Sequence, residues 1–269
     1  MNIAAVSIAA IILYLAAASR LAVALFYTPH DGQNAKIQTI SVGMLAIILH
    51  GAVLYHIVVT SSGLNLGFFN ALSLVAWMVA LALLGAAIAK PLENLAIILL
   101  PLAALSIVLE MRFPTTHILP DSAPMGLRIH VLLSVLAYSL LTIGAFQALL
   151  LALQDRQLRK KRPIRIMHAL PPLETMETLL FQIIGIGFFL LSLSLMSGLM
   201  FLEDIFAQHL VHKTVLSIVA WLVFAILLWG RWHFGWRGRK AIAWTLGGFV
   251  ALMLAYFGTK IVLELILHR

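Results

Sequence analysis

An all-α bundle of about eight membrane-spanning helices is the fold class this sequence predicts, and three observations carry it. The 269 residues are 62% hydrophobic and 10% charged, with a mean hydropathy of +1.05, which is more apolar surface than a water-soluble globule can hide. Apolar runs of about 18 residues or more recur along the whole length, each long enough to cross a bilayer. The basic residues gather in two short loops, the pattern that the positive-inside rule produces. No long polar stretch separates the runs, so residues 1–269 read as a single integral membrane domain.

Taken in order, the first span is Ile3–Phe26. It lacks a basic leading region, and although Ala16-Ala17-Ala18 resembles a cleavage site, the segment reads as a retained helix and not a signal peptide. Thr39–Thr60 and Phe68–Ala89 follow as continuous apolar runs. Leu92–Glu110 is short and interrupted by Pro101, which is tolerable in lipid where neighbouring helices satisfy the freed carbonyl. Leu127–Leu153 and Met176–Phe201 are full-length spans, Thr214–Trp229 is short, and Ala241–Leu265 closes the series. The ends of such runs are set to within a few residues only.

Orientation follows from the loops. Arg156, Arg159, Lys160, Lys161, Arg162 and Arg165 stand between spans five and six, and Arg231, Arg237, Arg239 and Lys240 between spans seven and eight. Two spans separate these loops, so both fall on the cytoplasmic side and both termini on the periplasmic side. Of the 18 lysines and arginines, 13 then lie on or toward the inner side and 5 on the outer. Arg20, deep in span one, snorkels toward the cytoplasm. This distribution accounts for the +8 net charge without nucleic acid, and localisation is multi-pass in the inner membrane.

Several chemistries are excluded. The chain has no cysteine, so thiol redox, cysteine-ligated zinc and iron–sulfur clusters are out. It has no nucleophile elbow, phosphate loop or zinc-protease motif, and it does not read as an enzyme. No carboxylate sits centrally in any span, which argues against a transporter.

Ten histidines remain, and topology sorts them. His117, His130, His209, His212 and His268 lie on the outer face, with His56 near the outer end of span two and His50 near mid-membrane. His30, His168 and His233 lie inside. His130 and His268 each stand at the outer end of a separate span, and two imidazoles at a membrane surface can hold haem iron from both sides. Two readings stay open for His130: an axial ligand, or an interfacial residue donating to a neighbouring carbonyl. For His268 the alternative is a fraying tail. His50 and His56, six residues apart, point roughly 120° away from each other on a helix. They cannot share one metal, and each is either an intramembrane functional residue or a structural hydrogen-bond partner. His209 and His212, with Glu203 and Asp204 nearby, are an alternative divalent metal site. Arg112, Arg128 and Lys213 can pair with carboxylates of a cofactor or with Glu110, Glu203 or Asp204. Lys260 and Glu264 are spaced for a helix-face ion pair. The Trp229, Trp232, Trp236 and Trp244 series fits the aromatic belt of the inner boundary.

From about residue 63 onward, and most strongly over 120–268, the chain resembles the cytochrome c assembly family of CcsA-, CcmC- and HemX-like membrane proteins, in its YpjD-like inner-membrane branch. The stretches that carry the resemblance are Arg128-Ile129-His130-Val131 with Leu136-Ala137-Tyr138, Leu170-Pro171-Pro172-Leu173-Glu174, and Ile184-Gly185-Ile186-Gly187-Phe188 with Ser197-Gly198. Lys213, Trp221, Gly235-Trp236-Arg237-Gly238-Arg239, Gly247-Gly248-Phe249, Tyr256-Phe257-Gly258 and His268 continue it, and Asn70 to Trp77 is a weaker match. The resemblance implies a haem-handling protein binding haem b, with His130 and His268 as axial ligands and Arg128 and Lys213 near the propionates. Its role would be that of a carrier, chaperone or accessory factor, and its partner a cytochrome c maturation or tetrapyrrole-pathway protein. The family's haem-delivering members carry tryptophans and an aspartate in the outer loop before Lys213. Here Leu202–His212 has no tryptophan, and Trp229 stands where those members place a histidine in the following span. That departure supports an alternative HemX-like regulatory or structural role on a partner enzyme.

Overall fold

A computed structural model describes residues 2–26, 32–159, 170–201 and 211–258. Among these residues eight helices are long and apolar enough to cross a membrane. They are α1 (Ile3–Phe26), α2 (Gly32–Val58), α3 (Phe68–Ala89), α4 (Ala96–Arg112), α5 (Met125–Arg159), α6 (Leu173–Phe201), α7 (Val211–Phe234) and α8 (Gly238–Met253). Each expected span has its helix, and the differences lie at the ends. α2 starts earlier than Thr39, because Gly32 to Gln38 contains no helix breaker beyond its first residue. α5 continues past Leu153 into the basic segment, where Asp155 and Arg159 form an i,i+4 ion pair at 3.0 Å. α7 is 24 residues long and not short; the expected stop at Trp229 reflected falling hydropathy, not a stop signal. Pro101 leaves α4 continuous, preceded by a 3-10 turn at Glu93–Leu95.

Packing resolves two compact units, one holding α1–α4 and the other α5–α8. In the first, α1 packs on α2, α2 on α3, α3 on α4, and α4 back on α1; in the second, α5 to α8 close in the same way. Short connections make successive helices antiparallel. Small residues face inward and let the backbones approach: Ala10, Ala17, Ala46, Ala80, Ala87, Ala96 and Ala103 are buried in the first unit. Large apolar side chains such as Ile12, Ile48, Ile88, Phe189 and Leu199 face outward, as suits helices solvated by lipid chains.

The spans did not foretell a three-stranded antiparallel sheet at one end of the first unit. It comprises β1 (Val59–Thr60), β2 (Gly63–Asn65) and β3 (Ile118–Pro120) in the order β1-β2-β3. Thr60 pairs with Gly63 across a two-residue loop, and Gly63 also pairs with Pro120. Gly63 has φ +135°, and a Cβ there would run into the Leu119 carbonyl oxygen, so only glycine fits. Asn65 fastens this cap. Its Oδ1 accepts the amides of Gly67 (3.2 Å) and His117 (3.0 Å), and its Nδ2 donates to the Thr115 carbonyl (3.3 Å). Thr115 Oγ1 in turn accepts the Phe69 amide, an otherwise unpartnered donor in the first turn of α3.

In the second unit, the α7–α8 turn uses Gly235 and Gly238 at φ +61° and +54°. Glu177 of α6 accepts the Gly238 amide at 2.6 Å. α8 ends in a π-helical turn, Leu254–Gly258, whose Tyr256 and Phe257 pack with Phe249 around Tyr138 of α5 at centroid distances of 5.5–5.9 Å.

Candidate functional site

α5 begins just after Pro124, whose carbonyl receives the Leu127 amide, and this start places His130 in the second turn of the helix. A histidine here on a polar, half-buried face needs a partner, and α6 supplies one. His130 Nδ1 lies 2.8 Å from the backbone carbonyl of Ser194 and 3.2 Å from the hydroxyl of Ser197. A carbonyl oxygen only accepts, so Nδ1 carries the proton and donates it. Ser197 donates its own hydroxyl proton to the same Ser194 carbonyl at 2.8 Å and so receives Nδ1–H as an acceptor. One turn on, Ser134 donates to the His130 carbonyl (2.7 Å), and its oxygen meets the Ser194 hydroxyl at 2.7 Å. Four polar side chains therefore lock α5 to α6 and fix the imidazole ring.

The chemical consequence concerns the other ring nitrogen. With the proton held on Nδ1, the neutral ring presents Nε2 with a bare lone pair, and no hydrogen bond to it exists among the described residues. A backbone carbonyl that holds one imidazole nitrogen and frees the other is the usual arrangement behind a metal-ligating histidine. The residue types present thus fit an axial nitrogen ligand. His268, the expected second ligand, lies outside the described residues, as do His209, Glu203, Asp204, Lys260 and Glu264, and nothing is described of the His212 side chain. Arg128 and Lys213 are half-buried, and each is already engaged in an interaction.

The remaining candidates are distributed as follows. His50 is fully buried in the first unit, with Nδ1 3.2 Å from the Tyr14 hydroxyl and Nε2 2.9 Å from the Ser73 hydroxyl. Both nitrogens are used, so in this arrangement it has no lone pair to offer iron. His56, on a different face of α2, is exposed, with its ring edge-on to Tyr55 at 6.0 Å. His117 is exposed beside β3, and His233 lies among Trp229, Trp232 and Phe234. Trp232 is 83% exposed, as an interfacial tryptophan is. Trp221 stacks on Phe188 at 5.6 Å and donates to Ser192 at 2.9 Å. Among the described residues, no group of three or more histidines and carboxylates could hold a metal ion by itself.

Sequence reasoning missed the supporting serines and all of Tyr14, Ser73 and Glu110 as members of a network. The available signal was faint: Ser134, Ser194 and Ser197 are isolated polar positions in apolar runs. Glu110, expected as a rim partner for a basic residue, is instead 4% exposed.

The family model of the cytochrome C assembly protein matches residues 39–267. The chain belongs to the cytochrome c assembly protein family. The match starts before residue 63, taking in α2 and the cap as well as the later helices. Among relatives of this cytochrome c assembly protein, the inner membrane protein YpjD of Escherichia coli K12 is 39% identical over 209 residues, covering 76% of this chain and 78% of the relative. The cytochrome c biogenesis protein CcsA of Chlamydomonas reinhardtii is 26% identical over 164 residues, covering 60% and 45%. That of Microcystis aeruginosa is 30% identical over 90 residues, covering 33% and 27%. No solved structure matches the chain. The protein is a multi-pass inner-membrane member of this family.

Proposed function

We propose that this protein binds haem b at the periplasmic face of the inner membrane and acts there as a haem carrier, chaperone or accessory factor, catalysing no reaction itself. The observation that carries the reading is the state of His130: Nδ1 is tied to the Ser194 carbonyl, and Nε2 has no hydrogen bond among the described residues. His130 and His268 would hold the iron, and Arg128, two residues before His130, and Lys213, expected on the same outer face, would serve the propionates. Bound haem would supply a redox-active iron held from both sides; the chain's own contribution is to orient one imidazole and keep its ligating lone pair free. The names of the CcsA relatives support a cytochrome c maturation context. The partner would be a maturation or tetrapyrrole-pathway protein.

The absorption spectrum of detergent-purified protein from haem-replete cells tests this. A Soret band with low-spin visible bands is expected. Its absence would favour the second reading, a HemX-like regulatory or structural protein acting on a partner enzyme, which the tryptophan-free Leu202–His212 loop supports. The proposal also needs both termini outside. A reporter fused at Lys161 should behave as cytoplasmic; activity only in the periplasm would place His130 on the wrong face.

A further inference from the structure

The first unit contains a second polar assembly, separate from the His130 site, to which each of its four helices contributes one residue. Tyr14 of α1, His50 of α2 and Ser73 of α3 are fully buried, with His50 bridging the two hydroxyls through its ring nitrogens. The Ser73 hydroxyl also faces the carboxyl of Glu110 on α4. That carboxyl is buried, and neither of its oxygens has a hydrogen-bond partner among the described residues.

An ionised carboxylate in this position has lost its water and gained no donor of good geometry, which is far more costly than leaving it neutral. The cations of the unit are directed elsewhere. Arg112 is exposed and lies 6.0 Å over the Phe113 ring. Lys36 pairs with Glu93 at 3.3 Å, and Arg20 donates to Gln38 at 2.7 Å, both at the opposite end of the helices. α3 has no charged residue, and His56, Tyr55 and His117 are exposed. Among the described residues of the unit, Ser73 is the polar side chain that faces the carboxyl, with His50 and Tyr14 behind it. Glu110 is two residues from the end of α4, within about a turn of bulk water.

We propose that Glu110 is a buried proton-binding site whose occupancy is read by His50 through Ser73. When the carboxylate is ionised, Ser73 donates its hydroxyl proton toward it, His50 donates from Nε2 to Ser73 Oγ, and Tyr14 donates to His50 Nδ1. When a proton arrives from water, a new O–H bond forms on Glu110 and the carboxylate charge is lost. Glu110 then donates to Ser73 Oγ, Ser73 turns its hydroxyl toward His50 Nε2, and the imidazole proton resides on Nδ1, donated to Tyr14 Oη. One proton is gained in all: the Nε2–H bond of His50 breaks as an Nδ1–H bond forms, and the Tyr14 hydroxyl keeps its proton and rotates it off the ring. His50 stays neutral in both states, and its tautomer reports the state of a carboxyl two helices away. Neutral imidazole is suited to this because one nitrogen always donates while the other accepts.

The test is nitrogen NMR of full-length, 15N-histidine-labelled protein in detergent, with the His50 signals identified as those lost in His50→Gln. The wild type should shift from Nε2–H to Nδ1–H as pH falls. Glu110→Gln should abolish the response to pH, and so should Ser73→Ala, which removes the link while leaving the carboxyl in place. A single His50 tautomer at every pH in the wild type would overturn the proposal, as would an unchanged response in folded Ser73→Ala. Ser7 Oγ, near the same end of the unit on α1, is also buried with no partner among the described residues, so sodium is exchanged for choline at fixed pH. A tautomer change on that exchange would assign the site to a small cation and overturn the proton reading.

Discussion

His130→Ala is expected to remove most of the haem bound by the wild-type protein. Removing an outer partner of a metal-ligating histidine alone typically costs about 10–100-fold in affinity, so loss of the ligand itself should cost at least that. Haem that remains would be held on one side only, and its spectrum should move from low-spin to high-spin as the iron becomes five-coordinate. Ser197→Ala should be milder, because the Ser194 carbonyl still holds Nδ1 at 2.8 Å. His233→Ala, in the aromatic cluster at the far end of α7, should leave the spectrum unchanged. Haem stoichiometry and the visible spectrum of the three variants decide the matter: an unaltered spectrum in His130→Ala would remove this residue from the site.

Asn65→Ala is expected to destabilise the cap strongly. It removes the acceptor for two amides and the donor to the Thr115 carbonyl. The Gly67 amide is buried, so no water replaces its lost partner, and an unsatisfied buried donor costs about 1–3 kcal/mol. With the part-buried His117 amide partly recovered by water, the total should be about 2–4 kcal/mol. Asn65→Asp keeps the acceptor and loses only the donor, and should fall well short of that. Hydrogen exchange at the His117 and Gly67 amides, with thermal unfolding in detergent, gives the comparison. Equal damage from both variants would show that the oxygen of Asn65 is not what holds the cap.

Eight spans were legible because each has to satisfy its own backbone in lipid, and that requirement writes a long apolar run into the sequence. Where the run faded into polar residues the helix did not always stop: α5 continues to Arg159 and α7 to Phe234, since hydropathy marks the membrane boundary and not the last helical hydrogen bond. The divergent directions of His50 and His56 followed from helical period alone. The cap was not legible, because its strands are two or three residues long and depend on a glycine with positive φ and on an asparagine whose partners lie some fifty residues away.

The sequence by itself determined that this is a multi-pass membrane protein, which helices it has, and which family it belongs to, since hydropathy and local motifs are properties of neighbouring residues. It also singled out His130. What only the tertiary structure decided is the chemical state of the polar residues inside the helices. Ser194 and Ser197 are 64 and 67 positions from His130, and Ser73 and Glu110 meet from different helices. Helical period tells which face a residue occupies but not which helix lies opposite. The hydrogen bond that fixes the proton on His130 Nδ1 and the burial of the Glu110 carboxyl beside Ser73 both depend on that pairing.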